Sequence, residues 1–210
     1  MSDTKPFIIG ISGYAGAGKD KFAAMLREQL EQRSHTVALV SSGDLIRQYV
    51  LDHQLGDIGD RALLQRVVSE VAKTHGYTYW LEQSIKQAAA AGTEVLLCPG
   101  LRQEVEVDAL HDRGDVIIAI DVPIEQRYER SQQRSRPGDD ISFEQFKKNE
   151  EAERAGAAQQ IDAVIAKADT IIDNDGTLEQ LEAVAADIAA GYPAKPKPAY
   201  KATSYKETGV

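Results

Sequence analysis

This sequence has one cysteine, no long apolar run and no excess of positive charge. The single cysteine, Cys98, excludes an internal disulfide and fits a reducing compartment. No segment is long and apolar enough to suggest a transmembrane helix, and the polar start at 1–6 does not resemble a signal peptide. We therefore expect a cytoplasmic protein.

Acidic side chains outnumber basic ones, 33 to 24, and the formal net charge is −9. This excess disfavours binding to a nucleic acid polymer or to an anionic membrane, so neither is expected as a partner. An anionic small molecule would have to be held by a local group of arginines and lysines. The four histidines show no metal-ligand spacing, and the composition leaves the oligomeric state open.

The length of 210 residues is sufficient for one domain with a buried core. Apolar segments alternate with helical patterns up to about residue 190, and the composition then shifts to proline and lysine. We place a single domain at 1–190 and a disordered tail at 191–210.

Five short apolar segments have the character of strands that are buried on both faces of a parallel sheet. They are Phe7–Ser12, Val37–Val40, Thr93–Leu97, Val116–Val122 and Thr170–Asp173. Helical spacing of apolar residues separates them, and one long helical pattern covers 142–167. This alternation predicts an α/β fold, a three-layer sandwich with a five-stranded parallel sheet and helices on both faces.

A glycine-rich loop follows the first apolar segment and precedes the first helical pattern. Its spacing is G-x-x-x-x-G-K, ending at Lys19. Glycines allow successive backbone N–H groups to point at phosphate oxygens, the start of a helix favours an anion, and the lysine reaches the outer phosphates. We predict that this loop binds the phosphates of a nucleotide; the alternative is a glycine-rich turn or a loop for another anion. The predicted nucleotide-binding residues are Gly13, Tyr14, Ala15, Gly16, Ala17, Gly18, Lys19, Asp20 and Lys21.

Asp20 departs from the usual form of this motif, which has serine or threonine after the lysine. The hydroxyl at that position binds Mg²⁺, and a carboxylate is also a hard oxygen ligand. Asp20 is therefore the candidate metal ligand.

Three further motifs follow the second, third and fourth predicted strands in order. The first is S-x-G-D-x-x-R at 41–47, the second is Gly100-x-Arg102, and the third is a group of arginines on one helical face. Together with the phosphate loop, this order resembles the P-loop nucleoside and deoxynucleoside monophosphate kinases, a family that includes relatives of dephospho-coenzyme A kinase. The resemblance covers about residues 7–190.

The resemblance implies an acceptor site beside the loop. In these kinases the arginine of S-x-G-D-x-x-R grips the phosphate of the acceptor, and a mobile flap, here about 44–92, closes over it. The acceptor-binding residues that the resemblance implies are Ser42, Gly43, Asp44, Arg47, Gly100 and Arg102. Without the family, Arg47 would be an exposed helix residue, and Arg102 would pair with the nearby Glu104 or Glu106.

Arg127, Arg130 and Arg134 stand at i, i+3 and i+7, and an exposed basic stripe of this kind is commonly a solvated helix face. In the related kinases, arginines after the fourth strand belong to a lid that stabilises charge on the transferring phosphoryl group. The resemblance therefore implies a short lid at about 127–142, with Lys19, Arg130 and Arg134 as the catalytic residues.

The resemblance implies transfer of the γ-phosphoryl group of ATP, with Mg²⁺, to a small phosphate-bearing acceptor, foremost a nucleoside or deoxynucleoside monophosphate. At the end of the third strand, however, these kinases have an acid that orients Mg²⁺ through water, and this chain has Pro99. Asp20 would then replace that acid. Two alternatives stay open. One is a dephospho-coenzyme A kinase, in which Asp44 would act as the base. The other is an ATP-binding switch or interaction module with weak hydrolysis, which the absence of an acid at position 99 favours.

Overall fold

The computed structural model describes residues 5–134, 140–155, 160–193 and 199–201. Within these ranges helices connect successive strands, with three helices in succession after β2 and three after β4. The elements are β1 Phe7–Ser12, α1 Lys19–Glu31, β2 Val37–Leu39, α2 Ser42–Asp52, α3 Arg61–His75, α4 Tyr79–Ala90, β3 Val95–Pro99, α5 Glu104–Asp112, β4 Val116–Asp121, α6 Ile124–Arg134, α7 Phe143–Ala155, α8 Ile161–Ala166, β5 Thr170–Asp173, α9 Leu178–Gly191 and β6 Ala199–Lys201.

The strands form one sheet in the order β2-β3-β1-β4-β5-β6, and every neighbouring pair is parallel. β1 lies in the middle, where Ile9 pairs with Leu97 of β3 and with Val116 of β4. Because the strands are parallel, all their carboxyl ends lie along one side of the sheet, which we call the carboxyl edge. Open α/β sheets bind their ligands there. The loops that follow β1 to β5 are therefore neighbours in space.

Alternate residues of β1 face the two layers of helices. Ile8 packs with buried residues of α4, α5 and α8, whereas Ile9 and Ile11 pack with residues of α1 and α9 that include Phe22 and Leu181. Period-two alternation of side chains explains why an unbroken apolar strand is buried on both faces. The predicted three-layer α/β sandwich with a parallel sheet is confirmed.

Helices α2, α3 and α4 build a smaller core of their own. Val50, Val67, Val71 and Trp80 are its buried members. The Trp80 ring makes edge contacts with Tyr49 and with Tyr79, at centroid distances of 5.5 and 5.0 Å. This aromatic group thus packs the helices of the segment predicted to be an acceptor flap.

The helical pattern predicted at 142–167 is wrong as a single helix, because the structure has two helices there. α7 packs on α6 through Phe143 and Phe146, whose rings lie 5.2 and 5.6 Å from the ring of Tyr128. α8 instead buries Ile161 and Val164, and Val164 belongs to the core beneath the sheet. The two segments bury their apolar faces against different parts of the molecule, which one straight helix could not do.

The predicted disordered tail, 191–210, contains a sixth strand, so the prediction is wrong at Ala199–Lys201. Ala199–Lys201 pairs in parallel with β5, and Tyr200 packs against the α1 and α9 side of the core. A sheet edge offers unpaired backbone groups that a short extended segment can satisfy, and a locally polar composition does not reveal this. The rest of the predicted tail, 194–198 and 202–210, lies outside the described residues.

Among the residues that the structure describes, no helix combines the length and the apolar character needed to span a membrane.

Candidate functional site

The glycine-rich loop leaves β1 and curls into the start of α1. Its glycines at 13, 16 and 18 all have positive φ. A Cβ on Gly16 would lie 2.5 Å from the carbonyl oxygen of Arg127, and one on Gly18 would lie 2.6 Å from Nδ2 of Asn174. Any side chain at these positions would push the loop away from α6 and from the turn after β5, so close packing as well as backbone conformation requires glycine.

Lys19 and Asp20 form the first turn of α1, where the positive end of the helix dipole favours anions. The Lys19 side chain is 16% exposed, and its Nζ lies 3.8 Å from Oδ1 of Asp20, whose side chain is 62% exposed. The described residues contain no group of three or more histidine, cysteine, aspartate or glutamate side chains that could hold a metal. One carboxylate beside a phosphate loop still suits Mg²⁺, which is commonly shared between one or two carboxylates and substrate phosphates.

The other predicted loop residues differ in what they can offer a nucleotide. The side chains of Tyr14 and Ala17 are buried, so they face the protein rather than a phosphate. Lys21 is exposed on the first turn of α1. Within the loop, Lys19 and the backbone N–H groups are therefore the donors best placed for an anion.

The predicted acceptor residues begin at α2, directly after β2. Ser42 is buried, Asp44 is exposed and Arg47 is half-buried; Asp44 and Arg47 pair with each other at 3.2 Å between Oδ1 and Nη1. The same Nη1 would lie 3.2 Å from a Cβ on Gly43. The Arg47 side chain thus folds back over the start of its own helix, at the carboxyl edge of the sheet.

The segment after β3 is fixed to its neighbours by backbone hydrogen bonds. The Gly100 N–H donates to the carbonyl of Ile11 at 2.8 Å, which holds the segment beside the carboxyl end of β1. The Arg102 N–H donates to Oε2 of Glu106, and the Arg102 carbonyl accepts from the Gln160 N–H at 2.6 Å. The backbone of Arg102 is held on both sides while the residue is exposed. Since β2 and β3 are adjacent, the topology brings Arg47 and Arg102 to the same part of the edge.

Glu106 is the buried acceptor that organises this segment. Its Oε2 accepts from the N–H groups of both Arg102 and Gln103, at 2.9 and 3.0 Å. Burial raises the pKa of Glu106 to about 7, against the lowering effect of these hydrogen bonds and of the Arg102 charge. The sequence indicated Glu106 only as an ion-pair partner of Arg102, because its burial depends on how α5 packs.

We expect the stability of the protein to fall as the pH rises from 4.5 to about 7, the interval between the ordinary and the folded pKa of Glu106. Folded Glu106 keeps a proton up to a pKa of about 7, whereas its ordinary value of 4.5 applies to the unfolded chain. The folded state therefore binds more protons between these values, and the free energy of unfolding decreases with increasing pH. Urea unfolding across this range should show a weaker dependence for Glu106→Gln than for the wild type. Glu28→Gln, at an exposed position of α1, is the control, and equal slopes for all three proteins would contradict the account.

On the other side of the loop, Arg130 lies beside the turn after β5. Its Nη2 donates to the carbonyl of Asn174 at 2.8 Å, and Asn174 donates from Nδ2 to the carbonyl of Ala17 at 2.9 Å. Burial lowers the pKa of Arg130, and the charge of Asp175 opposes this. Asn174 and Asp175, which the structure places beside the loop, were not among the predicted site residues. Their position in an Asn-Asp-Gly turn directly after the fifth strand was the available signal.

The three arginines predicted to share a helical face have different surroundings. Arg127 is 4% exposed, and its guanidinium donates to the Val122 carbonyl and to both carboxylate oxygens of Glu150. Arg127 is therefore not part of an exposed basic stripe, although it shares the helical spacing of Arg130. The side chain of Arg134 and the lid residues 135–139 lie outside the described residues.

Cys98, in β3, is a buried apolar residue. Burial raises the pKa of its thiol to about 12, so the nucleophilic thiolate is scarce near neutral pH. We expect iodoacetamide to leave Cys98 unmodified in the folded protein and to alkylate it in urea, as followed by mass spectrometry. Fast alkylation without denaturant would contradict the buried position of β3.

A phosphate loop between the central strand and the first helix of a parallel sheet, with helices on both faces, defines a P-loop kinase-like protein. A family model described as AAA domain matches residues 9–156, and the chain belongs to that family. The predicted resemblance to the P-loop kinases is thereby confirmed, whereas the acceptor is not identified by it.

Two relatives and one solved structure illustrate the similarity. A UPF0200 protein of Hyperthermus butylicus is 27% identical over 186 residues, which is 88% of this chain and 94% of that protein. A UPF0200 protein of Staphylothermus marinus is 29% identical over 177 residues, covering 84% of this chain and 87% of that protein. The shikimate kinase of Bacteroides thetaiotaomicron superposes with a TM-score of 0.52 at 14% identity, covering 84% of this chain and 93% of that structure. The last comparison shows a shared fold.

Proposed function

We propose that the protein transfers the γ-phosphoryl group of ATP, with Mg²⁺, to a small phosphate-bearing acceptor, foremost a nucleoside or deoxynucleoside monophosphate. The observation that carries this proposal is the arrangement of cations around the phosphate loop. Arg47 and Arg102 follow the strands on one side of β1, and Arg130 follows the strand on the other side. A loop that only bound ATP would not need basic side chains on both flanks.

The donor side would hold the ATP phosphates. Backbone N–H groups of the loop, the start of α1 and Lys19 provide the positive field, while Arg130 lies at the far end of the loop beside Asn174. Phosphoryl transfer spreads charge over the oxygens of the moving group, so catalysis rests on positioning and on electrostatic stabilisation. Lys19, Arg130 and the N-terminal end of α1 fit this role, and Arg134, the last residue of α6, is the further candidate.

The acceptor side would hold the second phosphate through Arg47 and Arg102. A phosphate acceptor is already an anion and needs no general base, whereas a ribose hydroxyl, as in dephospho-coenzyme A, does. Asp44 is the candidate base of the acceptor site, and its carboxylate already accepts a hydrogen bond from the Arg47 guanidinium. This pairing favours a phosphate as the acceptor, because an incoming phosphate can replace Asp44 on the same guanidinium.

Mg²⁺ fits the donor side through Asp20 and the ATP phosphates. Pro99 pairs with Ile11 in the sheet, so the end of β3 lies beside the end of β1 without an acid at that position. Asp20 would supply a carboxylate from the loop instead. When bound, the ion would neutralise developing charge on the β- and γ-phosphate oxygens.

The proposal is tested by an acceptor screen that measures ADP formation from ATP and Mg²⁺. The panel comprises the nucleoside and deoxynucleoside monophosphates and dephospho-coenzyme A. Strong stimulation by a monophosphate supports the proposal, and stimulation by dephospho-coenzyme A alone would favour that alternative. Slow hydrolysis that no acceptor changes would instead identify an ATP-binding switch and overturn the transfer proposal.

Two arginine variants sharpen the screen. Arg47→Ala and Arg102→Ala should raise the KM for the acceptor and leave the KM for ATP nearly unchanged. Loss of ATP affinity in both variants would mean that these arginines do not belong to an acceptor site.

A further inference from the structure

Arg127 and Glu150 form a buried ion pair between α6 and α7. Arg127 donates from both terminal nitrogens to the two carboxylate oxygens of Glu150, and both residues are buried. A third donor, Nε, reaches the carbonyl of Val122 at 2.9 Å, directly after β4. Burying two charges is costly and often no more stabilising than apolar packing, so such a pair is better explained by the geometry that it imposes.

The phosphate loop is in direct contact with this pair. The Arg127 guanidinium carbon lies 4.7 Å from the centre of the Tyr14 ring, which is a cation–π distance. The Tyr14 hydroxyl donates to the carboxylate of Asp162 in α8. On the backbone side, the Arg127 carbonyl blocks the space where a Cβ of Gly16 would lie. Two separate residues of the loop therefore rest against Arg127.

We infer that Tyr14, Arg127 and Glu150 form a clamp that sets the phosphate loop in its binding conformation. The clamp also fixes the loop to α6 and α7. Arg127 is thereby a positioning residue, since its donors are taken up by Val122 and Glu150. The inference rests on the proposed function for the identity of the ligand.

The test measures binding of tripolyphosphate and of ATP by calorimetry, because tripolyphosphate contacts the loop without a base or ribose. Glu150→Gln and Arg127→Lys should each weaken both ligands by about tenfold, the loss expected for one charge-assisted hydrogen bond. Tyr14→Phe removes only one hydroxyl and should also weaken both ligands. In the double variant Tyr14→Phe/Glu150→Gln, the loss should be smaller than the product of the single losses, because both changes release the same loop.

Arg113→Lys is the matched control. Arg113 donates from Nε to the buried Asp115 at 2.6 Å, beside the amino end of β4 and far from the loop. This variant should lower the thermal stability without changing the affinity for either ligand. Thermal unfolding of every variant then separates a general loss of stability from a loss of loop geometry.

The outcomes distinguish the clamp from the proposed function. If the wild type binds both ligands and the clamp variants, still folded, bind them equally well, the clamp is overturned and the transfer proposal stands. If the wild type binds both ligands without transferring phosphate, weakened binding in the variants supports the clamp alone. If the folded wild type binds neither ligand, both are overturned.

Discussion

Replacing Lys19 with methionine should abolish most phosphoryl transfer and leave the fold intact. Lys19 is the first residue of α1 and places a flexible cation beside the glycine-rich loop, where the β- and γ-phosphates of ATP would lie. Methionine preserves much of the length and apolar character of the side chain but removes its charge. Loss of a single preorganised stabilising group of this kind commonly reduces kcat by about 100- to 1,000-fold.

The measurement is the rate of acceptor-dependent ADP formation, with circular dichroism as a check on folding. Lys5→Met is the control, because Lys5 is exposed just before the amino end of β1, opposite the loop. This control should keep full activity. Near-normal turnover in Lys19→Met would mean that the loop does not hold the reacting phosphates.

The second large effect is expected at Asp20. Asp20→Ala should lower Mg²⁺-dependent turnover by about 10- to 100-fold, the usual range when a group that orients a metal is removed. Asp20→Ser should retain a larger share of activity, because a hydroxyl at this position is the Mg²⁺ ligand in the usual form of the motif. The physical reason is that Pro99 leaves no acid at the end of β3, beside β1.

Magnesium titrations separate this effect from a change in Lys19, whose ammonium lies 3.8 Å from the Asp20 carboxylate. The Asp20→Ala enzyme should need a higher Mg²⁺ concentration for half-maximal turnover, while its affinity for tripolyphosphate without Mg²⁺ should be kept or increased. An unchanged Mg²⁺ requirement in Asp20→Ala would show that Asp20 is not the metal ligand.

The sheet and the loop could be predicted because their signals are local. An unbroken apolar run such as Phe7–Ser12, followed by glycines at fixed spacing and a helical pattern, specifies strand, loop and helix within twenty-odd neighbouring residues. Repetition of the same alternation fixes the parallel sheet, since each helix carries the chain back to the same edge. Lys19 and Asp20 are therefore visible in the sequence alone.

What escaped the sequence depends on distant partners. Arg127 looks like its neighbour Arg130 in the helical pattern, but Glu150, 23 residues away, takes up its guanidinium. The burial of Glu106 and the hydrogen bond from Asn174 to the Ala17 carbonyl likewise depend on elements that meet only in the folded chain. Hydrophobic periodicity predicts which face of a helix a side chain occupies, but it does not predict which residue that side chain contacts.

β6 illustrates the same limit at the edge of the sheet. Ala199–Lys201 is short, lies among prolines and lysines, and carries little apolar character of its own. Its pairing is supplied by the open edge of β5 rather than by the segment itself. A composition that predicts disorder is therefore compatible with a strand wherever a neighbouring edge is available.

The most direct test of the central claim follows the γ-phosphoryl group itself. ATP labelled with radioactive phosphorus at the γ position is incubated with Mg²⁺, the full chain and the best acceptor of the screen, and the products are separated by chromatography. We predict that the label moves to the acceptor, and that Lys19→Met prevents this. Recovery of the label solely as inorganic phosphate, at a rate that the acceptor does not change, would contradict phosphoryl transfer.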